Sequence, residues 1–336
     1  MISMLKMLAL TILVGSNNSY WGYTYLAEGN NKVYALRSLE PTSSLCVFDA
    51  STLAGREGVI ELASLKVPMK ETVTSGAQSC HITLLSHEAV VADYTSVTLS
   101  LFSLDKEGYV KGEPRLLHFE GKGVHPTRQE GPHIHSSALS PDGKTLVVVD
   151  LGTDRIYRFA VENGRLVTPH RSYVSLPAGC GPRFSVFSKD GKYLYVVTEL
   201  TDEVLVYRTS DYSLQGRYSL SGEISEGGAH IVLSPDGKYL YASQRVSSAG
   251  KEKQCKATDG VAIYKCLSNG KLEKLQYLPT GGHPRHFAIS PDGAALVVAC
   301  RDSNTIEIFP LNKKSGKPVG DVEKIKISEP VYIGFR

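Results

Sequence analysis

Ser140-Pro-Asp-Gly-Lys-Thr-Leu146 returns further along the chain as Ser188-Lys-Asp-Gly-Lys-Tyr-Leu194, Ser234-Pro-Asp-Gly-Lys-Tyr-Leu240 and Ser290-Pro-Asp-Gly-Ala-Ala-Leu296. These are copies of one unit, spaced at intervals of 48, 46 and 56 residues. In each copy an apolar run precedes the serine and another, such as Tyr193-Leu-Tyr-Val-Val-Thr198, follows the glycine. Pro and Gly between them suit a tight turn, so the unit reads as a hairpin. A polar corner comes next, then a third strand (Arg155 to Phe159, Val204 to Tyr207, Val261 to Tyr264, Thr305 to Phe309), then a weaker fourth stretch.

Four strands recurring at this period describe a propeller blade. A chain of 336 residues divided by a 48-residue unit gives seven of them. The expected fold is all-β, a seven-bladed β-propeller of four-stranded antiparallel blades, with residues 1–336 as a single domain. Earlier copies are more worn. His81-Ile-Thr-Leu-Leu85, Ala89 to Asp93 and Ser96 to Phe102 keep the order, and Val33 to Ala35 with Cys46 to Phe48 are assigned to the first blade. The surplus in the 56-residue interval falls at Ser247 to Asp259, a polar stretch that reads as a surface excursion. No helix of ordinary length is expected.

Composition is that of a globular protein, with 42% hydrophobic and 21% charged residues. A net charge of +3 without a Lys/Arg run points away from nucleic acid. No apolar run reaches the roughly 18 residues of a membrane helix. Six cysteines (Cys46, Cys80, Cys180, Cys255, Cys266, Cys300) form no CxxC pair, and read as free thiols in a cytosolic, reducing compartment. Lys6 with Met7 to Val14 also fits a short export leader, but Thr11 to Gly15 reads better as a strand. Oligomeric state is not legible.

A hairpin whose turn lies at one edge of a blade places the start of its first strand and the end of its second at the other edge. Residues at those two positions are His81 and Asp93, His135 and Asp150, Arg183 and Glu199, His230 and Arg245, Arg285 and Arg301. They are expected to ring one mouth of the channel as a positive bowl. Mutual pairing at strand ends is the plain alternative for any one of them, but a set this rich in Arg and His suits a phosphate or carboxylate. His133 and His135, two apart, share a strand face and fit a divalent ion. A hydrogen-bonded pair is the simpler reading, so no cofactor or metal is expected. No GxSxG elbow or Walker loop is present.

Arg128-Gln-Glu-Gly-Pro-His-Ile-His135, Val149-Asp-Leu-Gly-Thr-Asp-Arg155, Gly181-Pro-Arg183, Thr198-Glu-Leu200, Leu240-Tyr-Ala-Ser-Gln-Arg245 and His283-Pro-Arg-His286 together resemble the lactonase propellers. That family includes bacterial 6-phosphogluconolactonases and fungal carboxymuconate lactonizing enzymes. The resemblance implies a lactone hydrolase acting on a small anionic lactone, with His135, Arg183, Glu199 and Arg245 in its active site. A cyclase and a non-catalytic binding propeller remain the alternatives. The chain departs from the family pattern at Phe184, usually His, at Gln244, usually Asn, and at His230, often an acid. On this reading His135 or Glu199 is the base and Arg183 stabilises the oxyanion. Arg245, Arg285 and His230 hold the substrate's anion, with His81, His133 and Arg301 on the same rim.

Overall fold

The computed structural model describes residues 11–16, 23–39, 42–53, 58–61, 64, 68, 70–74, 76–168, 172–252 and 254–336. The repeated turn explains itself at atomic level. Ser140 Oγ donates to Asp142 Oδ1 at 2.5 Å and accepts from Thr145 N at 3.0 Å, while Lys144 N donates to the same carboxylate oxygen at 3.1 Å. Gly143 then turns the chain with φ of +71°, a conformation that favours glycine. Ser188, Ser234 and Ser290 build the same network with Asp190, Asp236 and Asp292. The serine and aspartate thus do locally what a sheet would otherwise have to impose.

Seven sheets follow from these hairpins among the described residues. They fall into two compact units. The described residues of Asn18–Gly55 and Ala63–Pro182 hold three sheets, whose leading hairpins are Tyr23–Gly29 with Lys32–Leu39, Ser79–Leu84 with Glu88–Asp93, and Ile134–Leu139 with Thr145–Asp150. The described residues of Met1–Asn17, Arg56–Leu62 and Arg183–Arg336 hold four, including the hairpins Gly228–Leu233 with Tyr239–Gln244 and Pro284–Ile289 with Ala295–Cys300. Below they are called the N-terminal unit and the C-terminal unit. The third strands expected at Arg155, Val204, Val261 and Thr305 are all present. So is the strand expected at Thr11, as Thr11–Ser16. Residues 1–10, where the leader reading also lay, are outside the described residues.

Two sheets depart from the four-stranded antiparallel pattern. In the sheet that begins with Ile134–Leu139, Arg155–Glu162 pairs with both Arg165–Leu166 and Ser172–Ser175, giving five strands. The other departure is at the first described strand. Thr11–Ser16 pairs antiparallel with Pro330–Phe335 and parallel with Gly58–Glu61, giving three described strands. Its members come from distant parts of the chain, so no hairpin turn fixes their direction. Elsewhere second strands are buried on both faces: Leu146, Val147, Val148 and Val149 are all fully buried, which explains why they read as a continuous apolar run rather than an alternating one. The excursion at Ser247 carries a five-residue helix, Ser248–Glu252. No helix among the described residues is long and apolar enough to cross a membrane. All six cysteines are free, with Cys46, Cys180 and Cys300 buried.

Two devices set the start of each first strand. The first is a clasp from a residue in the left-handed region. Asp154 (φ +52°) accepts from Gly179 N and Gly181 N, both at 2.7 Å. Asp202 (φ +50°) accepts from Ser225 N at 2.5 Å and Gly227 N at 2.9 Å, and Asn304 (φ +53°) from Glu329 N at 3.0 Å. The second is a bulge. Ser79 pairs with Asp93 but His81 with Ala92, Ile134 with Asp150 but Ser136 with Val149, and Pro284 with Cys300 but His286 with Ala299. The extra residue in each case, Cys80, His135 or Arg285, is turned out of the regular alternation.

Candidate active site

Arg183 follows the clasped Gly181-Pro182 segment and lies five residues before its hairpin serine, the offset that His135 and Arg285 have from theirs. It is 2% exposed. Its Nε lies 2.7 Å from Glu199 Oε2, and its Nη1 donates to Ala229 O at 2.5 Å. Arg245 reaches the same carboxylate oxygen at 3.0 Å. It also donates from Nε to Gly227 O at 3.0 Å and from Nη2 to Gly228 O at 3.3 Å. This closeness requires glycine: a Cβ on Gly227 would stand 1.8 Å from Arg245 O, and one on Gly228 2.0 Å from Thr198 O. One buried carboxylate therefore serves two buried guanidinium groups. Burying charge without full compensation is expensive, and such a cluster is suited to an anion.

His283 belongs to the same group, although its motif suggested no role for it. Its Nδ1 lies 3.3 Å from Arg301 Nη2, and Arg301 Nε donates to Asp302 Oδ1 at 2.7 Å. Burial, and then the charges of Arg245, Arg301, Arg285 and Arg183, lower its pKa to about 2, so the ring is neutral. The half-buried Arg285 thus joins the cationic group through its field.

His230 lies in a different row. It stacks on His286 with ring centroids 3.9 Å apart, meets Phe184 edge-on at 4.8 Å, and His286 in turn leans on Tyr332 at 4.5 Å. Two of the three departures from the family pattern, Phe184 and His230, therefore touch each other. His286 Nδ1 accepts from Ile333 N at 3.2 Å, which places its proton on Nε2.

In the N-terminal unit the polar residues are mostly imidazoles. His135 is 5% exposed, with Nδ1 3.9 Å from Cys80 Sγ and the ring edge-on to Tyr94 at 5.7 Å. His133 stacks on Tyr94 at 4.4 Å; its Nδ1 pairs with Tyr94 O at 3.2 Å and its Nε2 with Glu130 Oε1 at 3.3 Å. The two ring nitrogens of His133 are thus both engaged, and no three of His, Cys, Asp and Glu converge on a metal position among the described residues.

Register corrects the set of rim residues drawn from sequence. His81 was grouped with His135, but the bulge puts Cys80 in that position and His81 one residue on, in the row of Ser136 and His286. It packs on Tyr25 at 4.6 Å and accepts from Ser137 N at 3.4 Å, and burial alone lowers its pKa to about 3. Asp93 and Asp150 likewise align with Thr198 and Gln244, and Tyr94 and Leu151 with Glu199 and Arg245. Both aspartates are fully buried. Asp93 accepts from Ser79, Thr98 and Ser100 hydroxyls, and Asp150 from His133 N, Gly152 N and Thr153 Oγ1. A one-residue shift changes the face of a strand, and here it separates structural carboxylates from the charged row.

Comparison with known proteins identifies the family. Residues 22–335 match the family described as "Lactonase, 7-bladed beta-propeller". A 6-phosphogluconolactonase of Formosa agariphila is 36% identical over 237 residues, which cover 68% of this chain and 64% of the relative. The chain therefore spans somewhat less than two thirds of that relative's length. A 6-phosphogluconolactonase of Bacillus subtilis is 24% identical over 325 residues, covering 93% of this chain and 86% of the relative. The solved structure of a candidate 6-phosphogluconolactonase of Bacteroides fragilis is 30% identical with a TM-score of 0.85, covering 97% of this chain and 98% of that one. With the family match spanning nearly the whole chain, this protein belongs to the lactonase family of seven-bladed β-propellers.

Proposed function

We propose that the protein hydrolyses a sugar lactone carrying an anionic group, with 6-phosphogluconolactone as substrate. The observation that carries this reading is the buried Arg183–Glu199–Arg245 group, in which two guanidinium groups share one carboxylate, together with the nearby charges of Arg285 and Arg301. The names of the relatives in Formosa agariphila and Bacillus subtilis support it.

Hydrolysis adds water to the lactone carbonyl and breaks the ring C–O bond. The oxyanion that forms on the carbonyl oxygen needs a fixed positive donor, and Arg183, locked by Glu199 and Ala229 O, supplies one. Glu199 keeps Arg183 and Arg245 in one orientation. Arg285 and Arg301 take the substrate's phosphate through charge-assisted hydrogen bonds. A base takes the proton of the attacking water and returns it to the ring oxygen as that bond breaks, the role that the sequence assigns to His135 or Glu199. The reaction uses water and side chains alone, and six free thiols support a reducing, cytosolic compartment.

The test is hydrolysis of freshly generated 6-phosphoglucono-δ-lactone by purified protein, corrected for spontaneous opening and repeated in EDTA. Turnover well above background, unchanged by the chelator, is expected. No rate above background in folded protein would reject the substrate, and loss of rate in EDTA would reject the metal-free chemistry.

A further inference from the structure

His283 has a side chain at a backbone position that disfavours one. Its φ is +58°, in the left-handed region, and the same repeat position in the Ser188 copy is Gly181, with φ of +59°. A histidine there holds strain that a glycine would not. Its Nε2 is also buried with no hydrogen-bond partner among the described residues. Neither feature favours stability.

The side chain meets Arg301 at hydrogen-bond distance and, farther off, Asp302 Oδ2 at 3.8 Å from Nδ1. Its Nδ1 lies 3.3 Å from Arg301 Nη2, and because a guanidinium only donates, Nδ1 must accept. The ring itself is fixed through its backbone: His283 N donates to Asp259 Oδ1 at 3.0 Å and His283 O accepts from Arg301 N at 3.3 Å. Asp302 holds Arg301 Nε at 2.7 Å. One edge of the guanidinium is thus tied down. Nη1 meets no hydrogen-bond partner among the described residues, and the side chain is 31% exposed. The remaining edge, Nη1 with the second N–H of Nη2, is the one that binds a phosphate or carboxylate in two parallel bonds. Burial and four arginines keep the imidazole neutral, so it stays an acceptor throughout the working pH range.

We infer that His283 is a positioning residue that aims the free edge of Arg301 at the substrate's anionic group. The inference rests on the lactonase reading for the identity of the substrate, and on geometry alone for the anion subsite. Its test compares His283→Gly, which relieves the strained backbone, His283→Asn, which tolerates the left-handed region but is too short to reach Arg301, and Arg301→Gln. For each, the dissociation constant of inorganic phosphate is measured by calorimetry, together with Tm, KM and kcat on 6-phosphoglucono-δ-lactone.

His283→Gly should keep or raise Tm while weakening phosphate by about tenfold or more, the effect of losing a hydrogen bond to a charged group. KM should rise in parallel with kcat nearly unchanged. His283→Asn should match it, and combining His283→Gly with Arg301→Gln should add nothing to Arg301→Gln alone. Wild-type phosphate affinity in His283→Gly, a fall in Tm with KM unchanged, or no phosphate binding by the wild-type protein would each overturn the inference. Phosphate binding that His283→Gly weakens, in a protein that turns over no lactone, would support the subsite and reject the lactone substrate.

Discussion

In the C-terminal unit the position five residues before the hairpin serine holds Arg183, Ala229 and Arg285, and the position eleven after it holds Glu199, Arg245 and Arg301. In the N-terminal unit the same two positions, matched by strand register, hold Cys80 and His135, then Tyr94 and Leu151. The hairpin is shared, and the bulge recurs at Cys80, His135, Ala229 and Arg285, so the backbone presents these positions alike. What differs is chemistry: one unit offers guanidinium groups, two of them on one carboxylate, and the other imidazole and phenol rings and a thiol. A repeat fold can keep the scaffold constant and vary the chemistry by changing single residues at equivalent positions.

The largest effect that would sharpen this contrast is at His135. His135→Ala should lower kcat by about a hundred- to ten-thousand-fold, the usual range for a general base, and leave the dissociation constant of phosphate unchanged. Weakened phosphate binding in that variant would place His135 with the anion site instead. Arg183→Ala should lower kcat by about a hundred- to a thousand-fold, as removal of an oxyanion donor does. Glu199 keeps Arg245 as a partner in that variant, so Tm should fall modestly; a collapse in Tm matching the lost activity would reduce Arg183 to a structural ion pair.

A smaller effect concerns pH. The His81 pKa falls from 6.5 to about 3 on burial, so between those values the unfolded chain takes a proton that the folded one refuses. Stability from this group is present above pH 6.5 and lost as pH falls. The Asp93 carboxyl, raised to about 6 by burial despite its three hydroxyl donors, acts in the opposite direction, favouring the folded state as pH falls below about 6. Replacing His81 by Phe should therefore shrink the stability lost between pH 6.5 and 5 by about 2 kcal/mol, read from denaturant melts at the two pH values. An unchanged pH slope would show that His81 can be protonated in the folded state. The smallest effect is expected at Cys80, which shares the position of His135 and Arg183 but not their chemistry. Cys80→Ser should change stability by about 0.5–1 kcal/mol and leave turnover intact. A large loss of turnover would mean that position, rather than residue type, makes a participant.

Much of this was legible in the chain. The Ser-Pro-Asp-Gly turns and the third strands lie where the repeat puts them because the turn network is local: Ser140, Asp142 and Thr145 need no distant partner. Arg183, Glu199 and Arg245 were chosen from sequence and are in contact. His81 and Asp93 were aligned one residue out of row, because a bulge has no sequence signature of its own and only pairing with the neighbouring strand reveals it. His283 went unassigned although His283-Pro-Arg-His286 was noticed. The residue seven before the hairpin serine is His133, Gly181, Gly227 and His283 in the four copies, so residue type does not mark His283; its left-handed backbone, visible only in the structure, does.

By itself the sequence determined the blade, its period and the residue types available at strand ends, since these follow from turn chemistry and the alternation of apolar residues within a few tens of positions. Tertiary structure decided which side chains meet. Pairing between strands chose the register and the bulges, and the clasps of Asp154 and Asp202 set where each first strand begins. The closing of Thr11–Ser16 onto Pro330–Phe335 joined the two ends of the chain. These are long-range contacts, and a shift of one residue along a strand leaves every local preference satisfied while exchanging a charged row for a buried one.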